Sequence, residues 1–500
     1  MAGIGCALDF ARRKRNVVDM KRMVFLALAW SLGATGSGAA DVVSNAMSGV
    51  RYPSLATAVA AATSGDRLVM IGNETLGATL IVSNKTLTLV SDGTVRTVTG
   101  STNCTDGMVS ILGVTATLTL GQPEGSDAAP TLVFDGGRYQ GVTSLSNMFF
   151  SDLGWLTIHP GVVLRNLASV DVGAIYNLSG VVEMYGGRIE NNSAPYGGGI
   201  FNQTGDIWIY GGSITGNVAQ IGGGIYNDAV QWFMGYIVGY YGKVDVRGGL
   251  IANNAANVAG GGILSYGALD LSGGQVLRNS APQGGGVLHA NGKAPYGMSL
   301  RGTAVVASNS ATQGSGIYYN DDGNTWLTLA EGGRVEPSND VFLAIGTSPV
   351  ILESALTGRG LAARLTPAAY ATNQIVLGAS TNSNLWIVSN YYGKFTVTPA
   401  PGDPEPWYVN VNGRLSRDNS AATPATILSI ASSETNVEWG VEPAFQAWDG
   451  VVELATNLVG QAWNFQPLAP EAYSVTNGRV VVPRDRPLGI YRLRTGGAGP

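Results

Sequence analysis

The chain has few of the residues on which metal sites and disulfide frameworks depend. Its 500 residues include two cysteines and two histidines. Cys6 lies in a basic N-terminal segment, so a chain processed after that segment would keep Cys104 alone and could form no intrachain disulfide. His159 and His289 are far apart in the sequence, which argues against a histidine metal cluster and against a Ser-His triad.

Charged residues are also scarce, at 13% of the chain, whereas glycine contributes 71 residues. The formal net charge is −5, and removal of residues 1–40 would leave 23 Lys and Arg against 32 Asp and Glu, a charge of −9. An acidic chain is a poor match for nucleic acid or anionic lipid, so we expect neither as a partner.

Residues 1–40 have the order of segments found in a secretory signal peptide. Six basic residues precede the apolar run 23–32, which is too short to span a membrane comfortably, and small residues precede Asp41. Met20 or Met23 could instead be the translation start, and the sequence leaves this open. We therefore expect a secreted protein, extracellular or on the outer cell surface, with no transmembrane segment after cleavage of the signal.

What the chain does contain is an internal repeat with two fixed corners. Gly-Gly-Gly followed by Ile or Val recurs, with one looser Gly-Ser-Gly-Ile copy, at 197–200, 222–225, 260–263, 284–287 and 314–317. An aliphatic residue followed three positions later by Asn recurs in the same register, at Val163/Asn166, Ile189/Asn192, Ile214/Asn217, Ile251/Asn254, Val276/Asn279 and Val306/Asn309. The cleanest spacing is 25 residues, and a period in the twenties is typical of a stacked repeat.

The segments between these corners alternate apolar and polar residues, as Ile207–Tyr210 and Ala268–Leu271 do, and alternation is the period of a β-strand. Three short strands fit such a repeat and predict a parallel β-solenoid, whose turns stack about 4.8 Å apart. Two inward rows are then expected: Ile175, Ile200, Ile225, Ile263, Val287, Ile317; and Met184, Ile209, Val246, Leu271, Leu300. The Asn row is expected to be structural, with side chains bonded to turn backbone and to one another.

The paired signatures resemble the repeats of polymorphic outer-membrane proteins, whose units carry a Gly-Gly-Ala-Ile-like motif and a Phe-x-x-Asn motif. Here Gly replaces Ala in most copies, Ile or Val replaces Phe, and the resemblance covers about residues 147–320. It implies a right-handed parallel β-helix in a secreted or surface-displayed, adhesin-like protein, and it carries over no catalytic residue. The opening segment resembles that of pectate-lyase-like β-helix proteins: Ser54 can cap an Ala-rich helix, Leu55–Ala62, that covers the end of the stack.

The expected fold class is therefore all-β, a right-handed parallel β-helix over 41–415 with an N-terminal capping helix. An aromatic-rich insertion at 228–242 interrupts the period. A polar linker is expected at 416–440. A small C-terminal β module at 441–500 resembles the modules with a terminal Tyr-Arg-Leu-Arg-like string, here Tyr491–Arg494, on many exported bacterial surface proteins.

Stacked turns also predict which polar side chains share an outer face. Outward rows would hold Glu183, Trp208, Asp245, Asp270; and Tyr185, Tyr210, Arg247, Arg301. Trp208, Tyr185 and Tyr210 could form an aromatic strip that stacks on sugar rings, or they could pack beneath the insertion. His289 occupies the repeat slot of Asn177, Asn202 and Asn227, so a structural role is expected for it.

Two functions remain in view. We expect a non-catalytic, adhesin-like binding protein, monomeric and without a cofactor, whose partner is an extracellular glycan or a component of a host or cell surface. The alternative is a calcium-dependent polysaccharide lyase acting on acidic glycans, with Asp245, Asp270, Arg247 and Arg301 as its site: carboxylates beside arginines can bind calcium and remove a proton from an acidic sugar. The same charges could instead form solvated pairs across neighbouring turns.

Overall fold

The computed structural model describes residues 40–418, apart from 105, 130, 229, 234–235, 241, 291–296, 321–325, 347, 359 and 381–384; beyond 418 it describes only strands, between 427 and 494. Three long sheets, which we name A, B and C, wind around one core in a parallel β-solenoid of about ten turns. The prediction of an all-β parallel β-helix is confirmed.

Each complete turn of the coil contributes one strand to each sheet. Sheet A has 14 strands, in spatial order Arg51–Tyr52, Val43–Asn45, Arg67–Met70, Thr86–Ser91, Thr117–Leu120, Trp155–Ile158, Val181–Met184, Asp206–Ile209, Lys243–Val246, Ala268–Leu271, Met298–Leu300, Leu327–Glu331, Val350–Leu356 and Leu377–Ala379. Sheet B has ten, Glu74–Thr75, Arg96–Thr99, Leu132–Asp135, Val162–Arg165, Arg188–Glu190, Ser213–Thr215, Leu250–Ala252, Gln275–Leu277, Val305–Ala307 and Arg334–Val335. Sheet C has 12, Leu80–Ser83, Val109–Leu112, Phe149–Asp152, Ile175–Asn177, Ile200–Asn202, Ile225–Asn227, Ile263–Ser265, Val287–Ala290, Ile317–Asn320, Val341–Leu343, Ala363–Pro367 and Phe395–Val397.

Smaller elements decorate this coil. Three strands form sheet D, Ser193–Tyr196, Val218–Ile221 and Ala255–Ala259. The insertion after Asn227 is an antiparallel hairpin, Val230–Phe233 with Tyr236–Tyr240, and a short antiparallel pair joins Tyr408–Val409 to Leu415–Ser416. The helices among the described residues are Leu55–Ala61 and Leu385–Tyr391, with 3-10 turns at Arg138–Gln140 and Tyr392–Lys394.

The two expected inward rows are confirmed by the strand register. In sheet C, Ile175 pairs with Ile200, and the row continues through the four later partners that the repeat predicted. In sheet A, Met184 pairs with Ile209 and the row runs on to Leu300. All these side chains are buried, and each contributes on the order of 1.5–3 kcal/mol of burial free energy before entropy is subtracted.

The glycine corners place one turn of backbone directly against the next. Gly222 has a left-handed φ of 65°, which a residue with a side chain adopts at a cost. A Cβ on Gly223 would lie 2.4 Å from the carbonyl oxygen of Gly261, and one on Gly224 would lie 2.6 Å from that of Gly262. The repeat is therefore glycine-rich because two successive turns approach within contact distance at this corner.

The Asn row forms a continuous buried ladder from Asn192 to Asn339, through Asn217, Asn254, Asn279 and Asn309. Asn217 is representative: its Nδ2 donates to the Ile189 carbonyl at 2.9 Å and to Asn254 Oδ1 at 3.0 Å. Its backbone N–H donates to the same Oδ1. The structural role expected for this row is confirmed, and Asn339 extends it by one turn that the sequence pattern did not show.

The first pair of that pattern, Val163/Asn166, was placed one residue out of register. Sheet B pairs Leu164, not Val163, with Ile189, and the backbone N–H of Leu167 donates to Asn192 Oδ1 at 3.0 Å. Asn166 instead has a left-handed φ of 61° and donates to Asp135. The ladder uses one equivalent position in every turn. At this turn that position is Leu167, which has no amide side chain to continue the ladder.

The N-terminal capping helix is confirmed. Ser54 Oγ accepts from the Thr57 backbone N–H at 3.1 Å, and the buried side chains of Leu55, Ala58 and Val59 join the core of the coil. Near the other end, helix Leu385–Tyr391 contributes buried Ile387 and Val388 to the same core.

The described C-terminal strands pair antiparallel, unlike those of the coil. Ile427–Ser432 pairs with Asn436–Val441, which pairs with Arg479–Pro483, while Val451–Ala455 pairs with Ile490–Arg494. Strand pairing therefore includes part of the range 416–440 that the sequence suggested as a linker, and the domain boundaries there stay a prediction.

An aromatic row outside sheet C forms a second apolar cluster. Phe150, Tyr176, Phe201 and Tyr226 lie on successive turns, with ring centroids 5.1 to 5.2 Å apart. The last two strands of sheet D bring Ile221 and Ala259, also buried, into the same cluster. The aromatic side chains of this face are thus covered by the protein itself.

Candidate functional site

The outer face of sheet A carries three parallel rows of side chains. The central row follows the strand register and comprises Thr157, Glu183, Trp208, Asp245, Asp270, Ser299 and Thr328. The downstream row occupies the residue after each strand and comprises His159, Tyr185, Tyr210, Arg247, Ser272 and Arg301. The expected alignment of Glu183, Trp208, Asp245 and Asp270 is confirmed, as is that of the downstream residues, although Ser272 separates Arg247 from Arg301.

Asp245 lies beneath two cations. Its carboxylate Oδ2 accepts from Arg247 at 2.9 Å and lies 3.3 Å from the Lys243 ammonium, and its side chain is 2% exposed. Oδ1 of Asp245 is buried without a hydrogen-bond partner. The hydrogen bond to Asp245 raises the pKa of Arg247, so this guanidinium stays charged. The negative charge of Asp245 is therefore balanced by Lys243 and Arg247, which cover it on the outer side of the sheet.

Asp270 has a separate partner, Arg301, on the next turn of the coil. Arg301 donates twice to it, from Nη2 at 2.6 Å and from Nε at 3.1 Å. This fork-shaped contact raises the pKa of Arg301 through the hydrogen bond to Asp270. Asp245 and Asp270 face each other on adjacent paired strands, but each carboxylate is engaged by an arginine.

The downstream tyrosines stack on each other. The rings of Tyr185 and Tyr210 lie 4.7 Å apart at an interplanar angle of 7°, and His159 stacks on Tyr185 at 5.5 Å from the preceding turn. On the following turn, Arg247 lies 5.3 Å from the Tyr210 ring centre. These four side chains form one column along the axis of the coil.

Trp208 lies beside this column and is covered by cations. Lys243 Nζ is 4.8 Å and the Arg247 guanidinium carbon 4.6 Å from the indole centre. The rings of the column stack on one another, and the indole of Trp208 is covered by Lys243 and Arg247. A ligand would therefore contact mainly the ring edges and polar groups of these residues. Trp208, Tyr185 and Tyr210 are thus brought together as expected, in an arrangement unlike a flat strip.

Two exposed tryptophans on this face were missed by the sequence analysis. Trp155 is 42% exposed and donates from Nε1 to Glu183 at 3.2 Å. Trp326 is 58% exposed. Both belong to an upstream row, two residues before the central row, that comprises Trp155, Val181, Asp206, Lys243, Ala268, Gly297 and Trp326. Counting back two residues from each central position would have found them.

His159 has a pKa below its ordinary value because it is partly buried, an effect that Glu124 and Glu183 oppose through their charge.

His289 is confirmed in the repeat slot: sheet C pairs it with Ser265, which continues the row of Asn177, Asn202 and Asn227. It is buried and stacks on Tyr319 at 6.1 Å.

Within the described ranges, no group of three or more His, Cys, Asp or Glu side chains is placed to hold a metal ion. Over the same part of the chain, no helix has the length and apolarity needed to cross a membrane. The aromatic side chains of the hairpin at 230–240 lie outside the described residues, so packing beneath the insertion stays a prediction.

Comparison with known proteins adds no relative: no protein family model, no curated protein and no solved structure matches the chain.

Proposed function

We propose that this is a secreted or surface-displayed binding protein of the adhesin type, without catalytic activity, that contacts a glycan through the outer face of sheet A. The observation that carries the proposal is the concentration of exposed aromatic and hydrogen-bonding side chains in three straight rows on a rigid sheet. Trp155, Tyr185 and Trp326 are all more than two-fifths exposed there, whereas Tyr176, Phe201 and Tyr226 of the aromatic row outside sheet C are buried. The resemblance of the repeats to those of polymorphic outer-membrane proteins supports the surface setting.

The chemistry of this face suits sugar hydroxyls. Aromatic side chains with polar edges combine apolar contact with hydrogen bonding, and arginine and carboxylate groups supply fixed donors and acceptors. Because the strands are held by ladders on both sides, the face is pre-organised, which lowers the entropy lost on binding. Asp245 and Asp270 are engaged by Arg247 and Arg301, which supports a binding role for these groups over proton abstraction.

The proposal is tested by glycan-array binding of the chain from residue 41 beside a Trp208→Ala variant. We expect binding by the unaltered chain and a loss in the variant, because the two cations over the indole would lose their platform. Tyr139→Ala is the matched control, since Tyr139 is 76% exposed and lies outside the three rows. Binding that survives Trp208→Ala would remove Trp208 from the site.

The absence of catalysis is tested separately. Incubation with acidic polysaccharides and calcium should yield no unsaturated sugar. Calcium-dependent release of such a product, abolished by Asp270→Asn, would overturn the binding-protein proposal and establish the lyase alternative.

A further inference from the structure

The upstream row places one exposed tryptophan at each end of the candidate face. From Trp155, the row passes through Val181, Asp206, Lys243, Ala268 and Gly297 to Trp326. Six steps between turns separate the two indoles, a length of about 29 Å at about 4.8 Å per turn. No pocket is needed to join them, because the row is straight and follows the axis of the coil.

The cations in the three rows of this face are already paired with carboxylates. Lys243 and Arg247 both engage Asp245, and Arg301 engages Asp270. At the other end, Glu183 accepts from the Trp155 indole. An anionic ligand would have to compete with these carboxylates for the arginines, and leaving the almost fully buried Asp245 carboxylate without its arginine is unfavourable.

A neutral ligand meets no such cost. Hydroxyl groups both donate and accept, so they can bond to the free N–H groups of an arginine and the free lone pairs of a carboxylate while the ion pair stays intact. Donors and acceptors recur on this face once per turn, along the axis of the coil that also joins the two tryptophans. A ligand that repeats along its own length uses such a face, whereas a single terminal sugar would contact only one or two turns.

We infer that the ligand is an uncharged linear polysaccharide, extended along the axis of the coil, with Trp155 and Trp326 as its two end contacts. This inference rests on the proposed glycan-binding function and names its substrate class. Two small cavities, one lined by Leu55 and Phe134 in the N-terminal core and one by Glu331 and Lys394, are lined by no residue of the three rows and do not enter the argument.

The test uses the full chain from residue 41 and two sets of immobilised polymers: cellulose, chitin, xylan and mannan as neutral probes, and polygalacturonate, alginate and hyaluronate as acidic ones. Retention on at least one neutral polymer, unchanged by added salt, is expected, because binding without net charge is insensitive to screening. Retention on acidic polymers alone would overturn this inference and leave the proposed function standing. No retention on any probe would overturn both.

Oligomers of the retained polymer, from disaccharide to octasaccharide, then measure the length of the site. Affinity should rise by about a hundredfold from disaccharide to hexasaccharide, because each of the two end contacts is expected to contribute about tenfold, and then level off. Trp155→Ala and Trp326→Ala should each weaken hexasaccharide binding by about tenfold. Neither variant should change the affinity for the disaccharide. The control variant Tyr139→Ala should bind both oligomers as the unaltered chain does. Affinity that is independent of length, or equal losses for disaccharide and hexasaccharide, would contradict the extended mode.

Discussion

The guanidinium carbon of Arg247 lies 4.6 Å from the centre of the Trp208 indole, one turn of the coil away. The same guanidinium donates to the buried Asp245 carboxylate at 2.9 Å. Arg247 therefore joins an aromatic ring and a carboxylate that belong to neighbouring turns of the central row. This contact links two turns in the middle of the candidate face.

The Trp208–Arg247 contact predicts a measurable coupling. In a double-mutant cycle of Trp208→Leu and Arg247→Met, the coupling free energy should be about 0.5–1 kcal/mol in favour of the native pair, the size expected for a partly exposed cation over an indole. Denaturant unfolding of the four proteins measures it. Additive effects would show that the two side chains are neighbours without interaction.

Breaking the Asn ladder should be costly. Asn254→Ala removes the acceptor of two Asn217 N–H groups and the donor to the Ile214 carbonyl, all of them buried. Leaving such groups without partners costs about 1–3 kcal/mol each, so we expect Asn254→Ala to lower the free energy of unfolding by at least that amount.

Asn257→Ala is the matched control for that experiment, because Asn257 is exposed in the neighbouring strand of sheet D. Its unfolding midpoint in urea should stay close to that of the unaltered chain. Equal midpoints for the Asn254 and Asn257 variants would show that the ladder contributes little.

The corner glycines predict a steric effect that does not depend on φ. At Gly223 the backbone is compatible with alanine, but the new Cβ would lie 2.4 Å from the Gly261 carbonyl oxygen. Gly223→Ala should therefore destabilise the coil by about 1–3 kcal/mol or more, since backbone must move to admit the methyl group. Gly77→Ala, where a Cβ would meet nothing within 4 Å, should be neutral or slightly stabilising. Thermal unfolding of both variants distinguishes a packing effect from a general effect of removing glycine.

His159 should titrate below the ordinary pKa of 6.5 because burial disfavours its charged form. A lowered folded pKa means that its contribution to stability is present above pH 6.5 and is lost as the pH falls through the folded value. Glu183 raises this pKa through its charge, so Glu183→Gln should lower it further. Proton NMR of the imidazole ring measures both midpoints, and a midpoint at or above 6.5 in the unaltered chain would contradict the burial argument.

Much of this fold could be predicted because a solenoid repeats its constraints in the sequence. Each inward position must be apolar in every turn, so Ile200 and Ile225 recur at the spacing of one turn and reveal their pairing. The error at Asn166 arose where the repeat is weakest, because a pattern read residue by residue cannot show that a turn has shifted by one position. The sequence analysis did not predict sheet D or its packing against the aromatic row. The strand Val218–Ile221 has no sequence pattern that indicates an outer layer.

The candidate site was only partly predictable. Register alone placed Trp208, Asp245 and Asp270 in one row, because parallel strands in a coil align equivalent positions. Register does not specify the direction in which a long side chain turns. It therefore did not show that Tyr185 stacks on Tyr210, or that cations cover Trp208.

The sequence by itself determined the coil: its period, its inward rows and its glycine corners follow from apolar alternation and from the space that a methyl group would take. Tertiary structure alone decided which outward side chains pair, because these contacts depend on rotamers and burial, and because pairs such as Arg301–Asp270 and Tyr185–Tyr210 join residues of neighbouring turns that are far apart in the sequence. Rotamers and burial place Asp245 beneath Lys243 and Arg247, two positions before and after it. The stacking of turns places Trp155 and Trp326 at the two ends of one straight row.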